Sequence, residues 1–268
     1  MSHYSNRLLC FDFDGTLVHH EGEMKFMPML KDRLIEMRNK GDLFVINTGR
    51  SVADLLNGIT SYGLFVLPDF IIAQETEIYR PTGAGHWIDF GSWNSEGRRL
   101  HQKFLKSHAT FFTWLHAQLK SKTKARLVQD GSQVGIVASS EEEMESISQA
   151  LHPHHGRFPE LGFHRNGVYM RFTHVSLNKG TALAELARLT QVPTHSVFAA
   201  GDNFNDISML HPAYAGAIAC PSNAHPEIQS HVRNIGGYVA SMPASEGMLQ
   251  ALDHYFPAMP AAQDNDAL

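Results

Sequence analysis

Arg7-Leu8-Leu9-Cys10-Phe11-Asp12-Phe13-Asp14-Gly15-Thr16-Leu17 decides the fold, because an apolar run stops there on two carboxylates and a glycine. A short, nearly continuous apolar run reads as a buried strand, here Arg7–Phe13. Asp12 and Asp14 are two residues apart, so where strand geometry persists they face the same way. Two carboxylates side by side repel, and one keeps its proton unless a cation lies beside them. A hard divalent cation with oxygen ligands answers that need, and magnesium takes one or two carboxylates together with phosphate oxygens. Asp14-Gly15 is also a strong hairpin signal. Both readings hold if the chain beyond Gly15 forms a small flap.

Outward from this stretch, strands and helices alternate. A helix is expected at about Met29–Lys40, with Gly41 suited to its C-terminal end. A strand follows at Asp42–Asn47 and runs into Thr48-Gly49-Arg50. Ser51 then caps a helix to Ile59, and Pro68–Ala73 is a third strand. Strands alternating with helices predict an α/β core, a Rossmann-like doubly wound parallel sheet covered on both faces. After about Tyr79 the character changes, and Trp87, Trp93 and Trp114 all fall in the next stretch. One long helix is expected over Glu96–Lys120, then strands Ala125–Gln129 and Gln133–Ala138, a helix Glu141–Leu151 and a strand Val168–Phe172. That order predicts an inserted α+β unit with an antiparallel sheet. The first rhythm resumes at Asn178, with helix Lys179–Leu189, strand His195–Ala200, a helix near Ile207–His211 and strand Tyr214–Ala219. The expected division is a core over 1–79 and 176–268, interrupted by a cap domain over 80–175. Tyr79–Pro81 and His174–Leu177 are the expected hinges, and the Ala-, Pro- and Asp-rich tail from Pro257 is expected to fray.

Composition narrows the partners. The 22 Lys and Arg against 27 Asp and Glu give a formal charge of −5. No basic patch with interleaved aromatics is evident, so neither a nucleic-acid nor a membrane partner is expected. Cys10 and Cys220 sit in apolar stretches and read as small buried hydrophobes. The polar N-terminus leads into an apolar run too short for a signal peptide or membrane span, which makes a cytoplasmic location the expectation.

Three further segments join the first. Thr48-Gly49-Arg50 and Gly201-Asp202-Asn203-Phe204-Asn205-Asp206 each begin where an apolar strand ends, and Asn178-Lys179-Gly180 opens a helix. In an open parallel sheet, ligands bind at the carboxyl ends of the strands. Each segment has an ordinary reading in isolation: a capped turn for Thr48, a solvated surface lysine for Lys179, acidic residues early in a helix for Asp202 and Asp206. A cation at a helix start nevertheless suits a nearby anion, because helix N-termini and ammonium groups both attract phosphate. Four such segments in one order, each at an element end, outweigh the separate readings.

With these residues the chain resembles the haloacid-dehalogenase-like hydrolase superfamily, in the Cof-type and sucrose-phosphatase-like branch that carries a type IIB cap. Asp12-Phe13-Asp14-Gly15-Thr16-Leu17 is similar to the first motif and Thr48 to the second. Lys179, within Asn178–Leu183, is similar to the third, and Gly201–Asp206 to the fourth. The resemblance covers nearly the whole chain. It implies a phosphatase in which Asp12 attacks phosphorus and becomes a phosphoaspartate, while Asp14 protonates the leaving oxygen and then activates water. It implies Mg²⁺ held by Asp12, the main-chain carbonyl of Asp14 and Asp202, with Asn205 and Asp206 supporting the site. Thr48, Gly49 and Lys179 would bind the phosphoryl group. The implied substrate is a small phosphorylated metabolite such as a sugar phosphate. A nucleotide or flavin phosphate is the alternative, and a non-catalytic metabolite-binding protein a third reading that the intact set opposes. Oligomeric state is not read from the sequence.

The chain departs from the pattern in one place. Many relatives carry Asn-Gly after the third strand, where this chain has Gln74-Glu75, followed by Thr76-Glu77-Ile78-Tyr79. Arg50 has two readings, a substrate contact or a surface cap. Arg171 and His174 either reach the cleft or face solvent. The tryptophans read as core rather than as sugar-stacking platforms. His152-Pro153-His154-His155-Gly156 lacks a partner at ligand spacing and reads as a polar cap loop rather than a zinc site.

Overall fold

The computed structural model describes residues 7–19, 26–130, 133–154 and 156–257. Its core is an eight-stranded sheet in the order β12-β11-β10-β1-β2-β3-β4-β5. The strands are β1 (Leu8–Phe11), β2 (Leu43–Asn47), β3 (Phe70–Ala73), β4 (Glu77–Pro81), β5 (Trp87–Asp89), β10 (Val197–Ala200), β11 (Ala217–Cys220) and β12 (Tyr238–Val239). The pairings from β12 to β3 are parallel, and β4 and β5 add on antiparallel.

Period-two alternation buries both faces, as a parallel sheet requires. Leu9, Phe11, Phe44, Ile46 and Phe198 face helices α1 (Pro28–Asn39), α2 (Val52–Ser61) and α8 (Ala244–Tyr255). Leu8, Cys10, Val45, Val197 and Ala199 face α6 (Lys179–Thr190) and α7 (Pro226–Asn234). Phe11 packs against Phe198 and Phe44 at centroid distances of 5.2 and 6.0 Å. Truncating such a buried ring to alanine costs about 3–5 kcal/mol. Cys10 and Cys220 are both free and buried.

The inserted unit is an antiparallel sheet in the order β6-β7-β9-β8, from β6 (Arg126–Asp130), β7 (Gln133–Val137), β8 (Leu161–Asn166) and β9 (Tyr169–His174). Val134, Ile136, Leu161, Met170 and Phe172 point from one face into a separate core. That core is completed by α3 (Trp93–Ser107), α4 (Ala109–Lys122) and α5 (Glu141–Leu151). The alternate residues Gln133, Gly135, His164, Asn166, Tyr169 and Arg171 line a cavity above the carboxyl ends of the core strands.

Several expectations need correction. The core sheet runs on to Asp89, so a boundary between 79 and 80 falls inside it, and the expected hinge Tyr79–Pro81 lies within β4. The chain leaves the sheet at Phe90-Gly91-Ser92, where Gly91 adopts φ +76°. Trp87 and Trp93 accordingly pack on the two cores of the main sheet rather than in the insert. The helix expected over Glu96–Lys120 is two helices broken at His108 (φ −106°, ψ 13°), whose Nδ1 lies 3.0 Å from the carbonyl oxygen of Phe104. No helix covers Ile207–His211. A single 3-10 turn at Phe204–Asp206 precedes that stretch, because the Asp206 carboxylate folds back onto the backbone of Asp202 and Asn203. Strand β11 begins at Ala217 rather than Tyr214. The tail beyond Pro257, the N-terminal six residues and His155 lie outside the described residues.

Among the described residues no helix is long and apolar enough to cross a membrane.

Candidate active site

β1 lies between β2 and β10, where strand order reverses, and the loops leaving the carboxyl ends of all three converge there. The Asp12 backbone N–H donates to Ala200 O at 2.8 Å, extending the ladder by one residue before the chain turns. The turn closes with Gly15 N–H on Val18 O at 2.9 Å. Gly15 takes φ +81°, and a Cβ there would sit 2.5 Å from Asp202 Oδ2. Only glycine lets these two loops approach so closely.

Lys179 is fully buried at the start of α6, whose capping box joins Asn178 and Thr181. Its ammonium donates to Asp12 Oδ1 at 2.5 Å and to Asp206 Oδ1 at 2.6 Å. Burial alone would push the ammonium down in pKa, but Asp12, Asp206 and Glu75 outweigh it and hold Lys179 above lysine's ordinary range. The surface reading of this lysine is thereby excluded.

Asp202 accepts from the Thr16 hydroxyl at 2.9 Å. Asp12, Asp202 and Asp206 bring one carboxylate oxygen each within 4.8 Å of one another. One ammonium does not balance them. Burial first, then Asp206 and Asp202, push Asp12 well above the usual carboxylate range. Burial and Asp206 push Asp202 up to about 7. A cluster that holds protons for want of positive charge fits a hard divalent cation. Asp12 and Asp202 would be its ligands; both Asp206 oxygens are already engaged by Lys179 and by two backbone N–H groups.

The second segment is tied down by its neighbours. Thr48 is buried, its N–H donating to Ile72 O at 2.8 Å and its hydroxyl oxygen accepting from Arg50 N–H at 3.2 Å. Thr48, Gly49 and Arg50 line the cavity beside Asp12 and Asp14. Arg50 is neither a surface cap nor free for a ligand: its guanidinium forks onto the Asp14 carboxylate through two bonds of 2.6 Å. It also lies over Phe13, 5.2 Å from the ring centroid.

Asn223, Gln133, His164, Asn166 and Tyr169 join the site without a signal in the four motif segments. Asn223 donates to Gly15 O at 2.8 Å and accepts from Ala244 N–H at 2.7 Å, fixing the back of the first loop. Glu75 is buried and takes the amide of Asn205 at 2.9 Å and His164 Nδ1 at 2.5 Å. The departure Gln74-Glu75 was its sequence signal. Gln133, His164, Asn166 and Tyr169 line the cavity from the insert, and strand alternation with the inward Met170 and Phe172 could have found Tyr169. Arg171 reaches the cleft and donates to Gln74 O at 3.2 Å. His174 does not; its ring pairs with the Ser176 hydroxyl at 2.7 Å. His154 packs on Trp114, centroids 4.7 Å apart.

The model of the sucrose-6F-phosphate phosphohydrolase family matches residues 5–256. A solved sucrose-phosphatase from Synechocystis sp., in complex with sucrose and phosphate, superposes with a TM-score of 0.72 at 19% identity, covering 93% of this chain and 98% of that one. A subclass IIB sugar phosphatase superposes at 0.62 and 19% identity, covering 94% and 100%. At such identities these likenesses show the fold alone. A phosphoglycolate phosphatase from Methanospirillum hungatei is 33% identical over 81 residues, 30% of this chain and 32% of the relative. The chain spans about a third of the length of the curated relatives it matches. It belongs to the sucrose-6F-phosphate phosphohydrolase family, and with it to the haloacid-dehalogenase-like superfamily.

Proposed function

We propose that this family member is a magnesium-dependent phosphatase that hydrolyses a sugar phosphate through a phosphoaspartate on Asp12. The observation that carries the reading is the buried Lys179 ammonium, 2.5 Å from Asp12, which itself lines a cavity of about 320 Å³. A buried cation beside a carboxylate, on the approach to a polar-rimmed cavity, suits in-line attack on a phosphorus whose oxygens the cation neutralises.

In the first step an Asp12 carboxylate oxygen forms a bond to phosphorus as the bond from phosphorus to the leaving oxygen breaks. Asp14 gives that oxygen its proton. In the second step Asp14 takes a proton from water, the water oxygen bonds to phosphorus, and the bond to Asp12 breaks to release inorganic phosphate. Proton transfer of this kind contributes roughly 10²–10⁴-fold. Thr48, Gly49 and Lys179 hold the phosphoryl oxygens, and Arg50 sets the direction of Asp14. Asp12, Asp202 and the main-chain carbonyl of Asp14 would hold Mg²⁺, which would supply positive charge to the phosphoryl group.

The insert acts as the cap that selects the leaving group. Gln133, Asn166, Tyr169 and Arg171 offer donors and acceptors around one cavity, as a polyhydroxylated ligand needs. The test is phosphate release from a panel containing sucrose 6F-phosphate, hexose phosphates, nucleotides and p-nitrophenyl phosphate, with Mg²⁺ or EDTA. Magnesium-dependent release with sugar phosphates preferred supports the reading. Preference for nucleotides by an order of magnitude would remove the sugar assignment.

A further inference from the structure

Gln74 and Glu75 both lie in the left-handed region, at φ +50° and +67°, although neither is glycine. This is costly backbone for residues with side chains. Their N–H groups are tied to the second motif segment, Gln74 to Arg50 O and Glu75 to Thr48 O, both at 2.9 Å. A glycine would take this turn without strain, so the Glu75 side chain must supply something.

What it supplies is a buried carboxylate between two bodies. Glu75 Oε1 accepts from Asn205 in the core, and Oε2 pairs with His164 on β8. The His164 ring is held from its other side, with Nε2 3.2 Å from the Thr173 hydroxyl. Two more polar contacts flank the pair: Arg171 on Gln74 O, and Asn203 on Asn166 Oδ1 at 3.1 Å. The apolar clusters of the main sheet and of the insert are separate. Over the cavity the two bodies therefore meet through polar contacts that can be exchanged for water.

We propose that Glu75 is a positioning residue that docks the cap, its pairing with His164 holding the insert's sheet closed over Asp12 and setting selectivity for leaving groups that touch that sheet. Closure is centred on this pair because, among the described residues, it is the ion pair that joins a buried carboxylate of the core to a largely buried ring of the cap. The docking claim stands on geometry; the selectivity claim rests on the phosphatase reading above.

Glu75→Gly tests both parts, since glycine relieves the left-handed backbone while deleting the carboxylate. Spin labels at Ala150→Cys on α5 and Ser230→Cys on α7 report the separation of cap and core, and the two native cysteines are buried. In the full chain the variant should fold yet show a second, displaced distance population, and His164→Ala should produce the same population. The ratio of kcat/KM for a sugar phosphate over that for p-nitrophenyl phosphate should fall about tenfold, as expected for loss of a buried charged hydrogen bond. A distance distribution unchanged from the parent protein overturns the docking proposal, whatever the activity. Opening with an unchanged ratio overturns the selectivity part. Opening in a protein that hydrolyses no phosphate ester leaves the docking intact and removes the phosphatase reading instead.

Discussion

Arg50 grips Asp14 with both prongs of its guanidinium, Nε and Nη2 each donating at 2.6 Å to a different carboxylate oxygen. The pair sits at the mouth of the cavity, partly exposed, with the guanidinium also resting on Phe13. A fork of this shape fixes where a carboxylate points as well as its charge, and lysine cannot reproduce it. Arg50→Lys should therefore lower kcat by about tenfold or more with a smaller change in KM, because Asp14 loses direction while phosphoryl binding persists. Steady-state kinetics on one good substrate decides it, and an unchanged kcat would mean that Arg50 only braces the loop.

Lys179 stands between two buried carboxylates. Lys179→Met removes the ammonium bonded to both Asp12 and Asp206 and should destabilise the fold by about 3–5 kcal/mol near neutral pH, as expected when one partner of a buried ion pair is lost. Urea unfolding measures the loss. Acidification should restore part of it, since the unpaired carboxylates can then take protons.

The acidic cluster predicts a proton count. In the metal-free protein Asp202 is raised to about 7 by burial and by Asp206, opposed by Thr16 and Lys179, with Asp14 adding to the rise. Between its ordinary value and about 7 the folded protein holds a proton that the unfolded chain has released. This group therefore makes stability fall as pH rises through that window. Mg²⁺ must displace the proton, so its affinity should climb with pH up to about 7, and binding should release protons below it. Calorimetry in two buffers of different ionisation enthalpy measures the release, which Asp202→Asn should reduce. A pH-independent affinity between 5 and 7 would contradict the ligand assignment.

Gly15→Ala carries both backbone strain at φ +81° and a Cβ directed 2.5 Å from Asp202 Oδ2. About 1–3 kcal/mol of stability should be lost. Mg²⁺ affinity should fall with it, because the Asp202 carboxylate has to move. Thermal unfolding with and without Mg²⁺ separates the two effects.

The core and its strand-end loops were legible because one chemical rule governs them: a buried apolar run must stop where a carboxylate, hydroxyl or ammonium begins. Asp12, Thr48 and Asp202 all follow β1, β2 and β10 within two residues. The edge of the core was misread because β4 and β5 are short and half exposed, so Trp87 looked foreign to it. The break at His108 left no trace in helical periodicity, since Phe104 and Phe111 lie on the same apolar stripe either side of it. The helical reading of Ile207–His211 failed because Asp206 spends its side chain on loop backbone. Glu75 was visible only as a residue out of pattern. Its partner His164 is 89 positions away, and no local signal joins them.

Acid quenching during turnover with Mg²⁺ and a hydrolysed phosphate ester, followed by mass analysis of the peptide that carries Asp12, reads the covalent step itself. One phosphoryl group is expected on Asp12, absent with EDTA, with no phosphate release by Asp12→Asn in a folded protein. Phosphate release by Asp12→Asn at a rate close to that of the parent, or a phosphoryl group on another residue, would contradict a phosphoaspartate on Asp12.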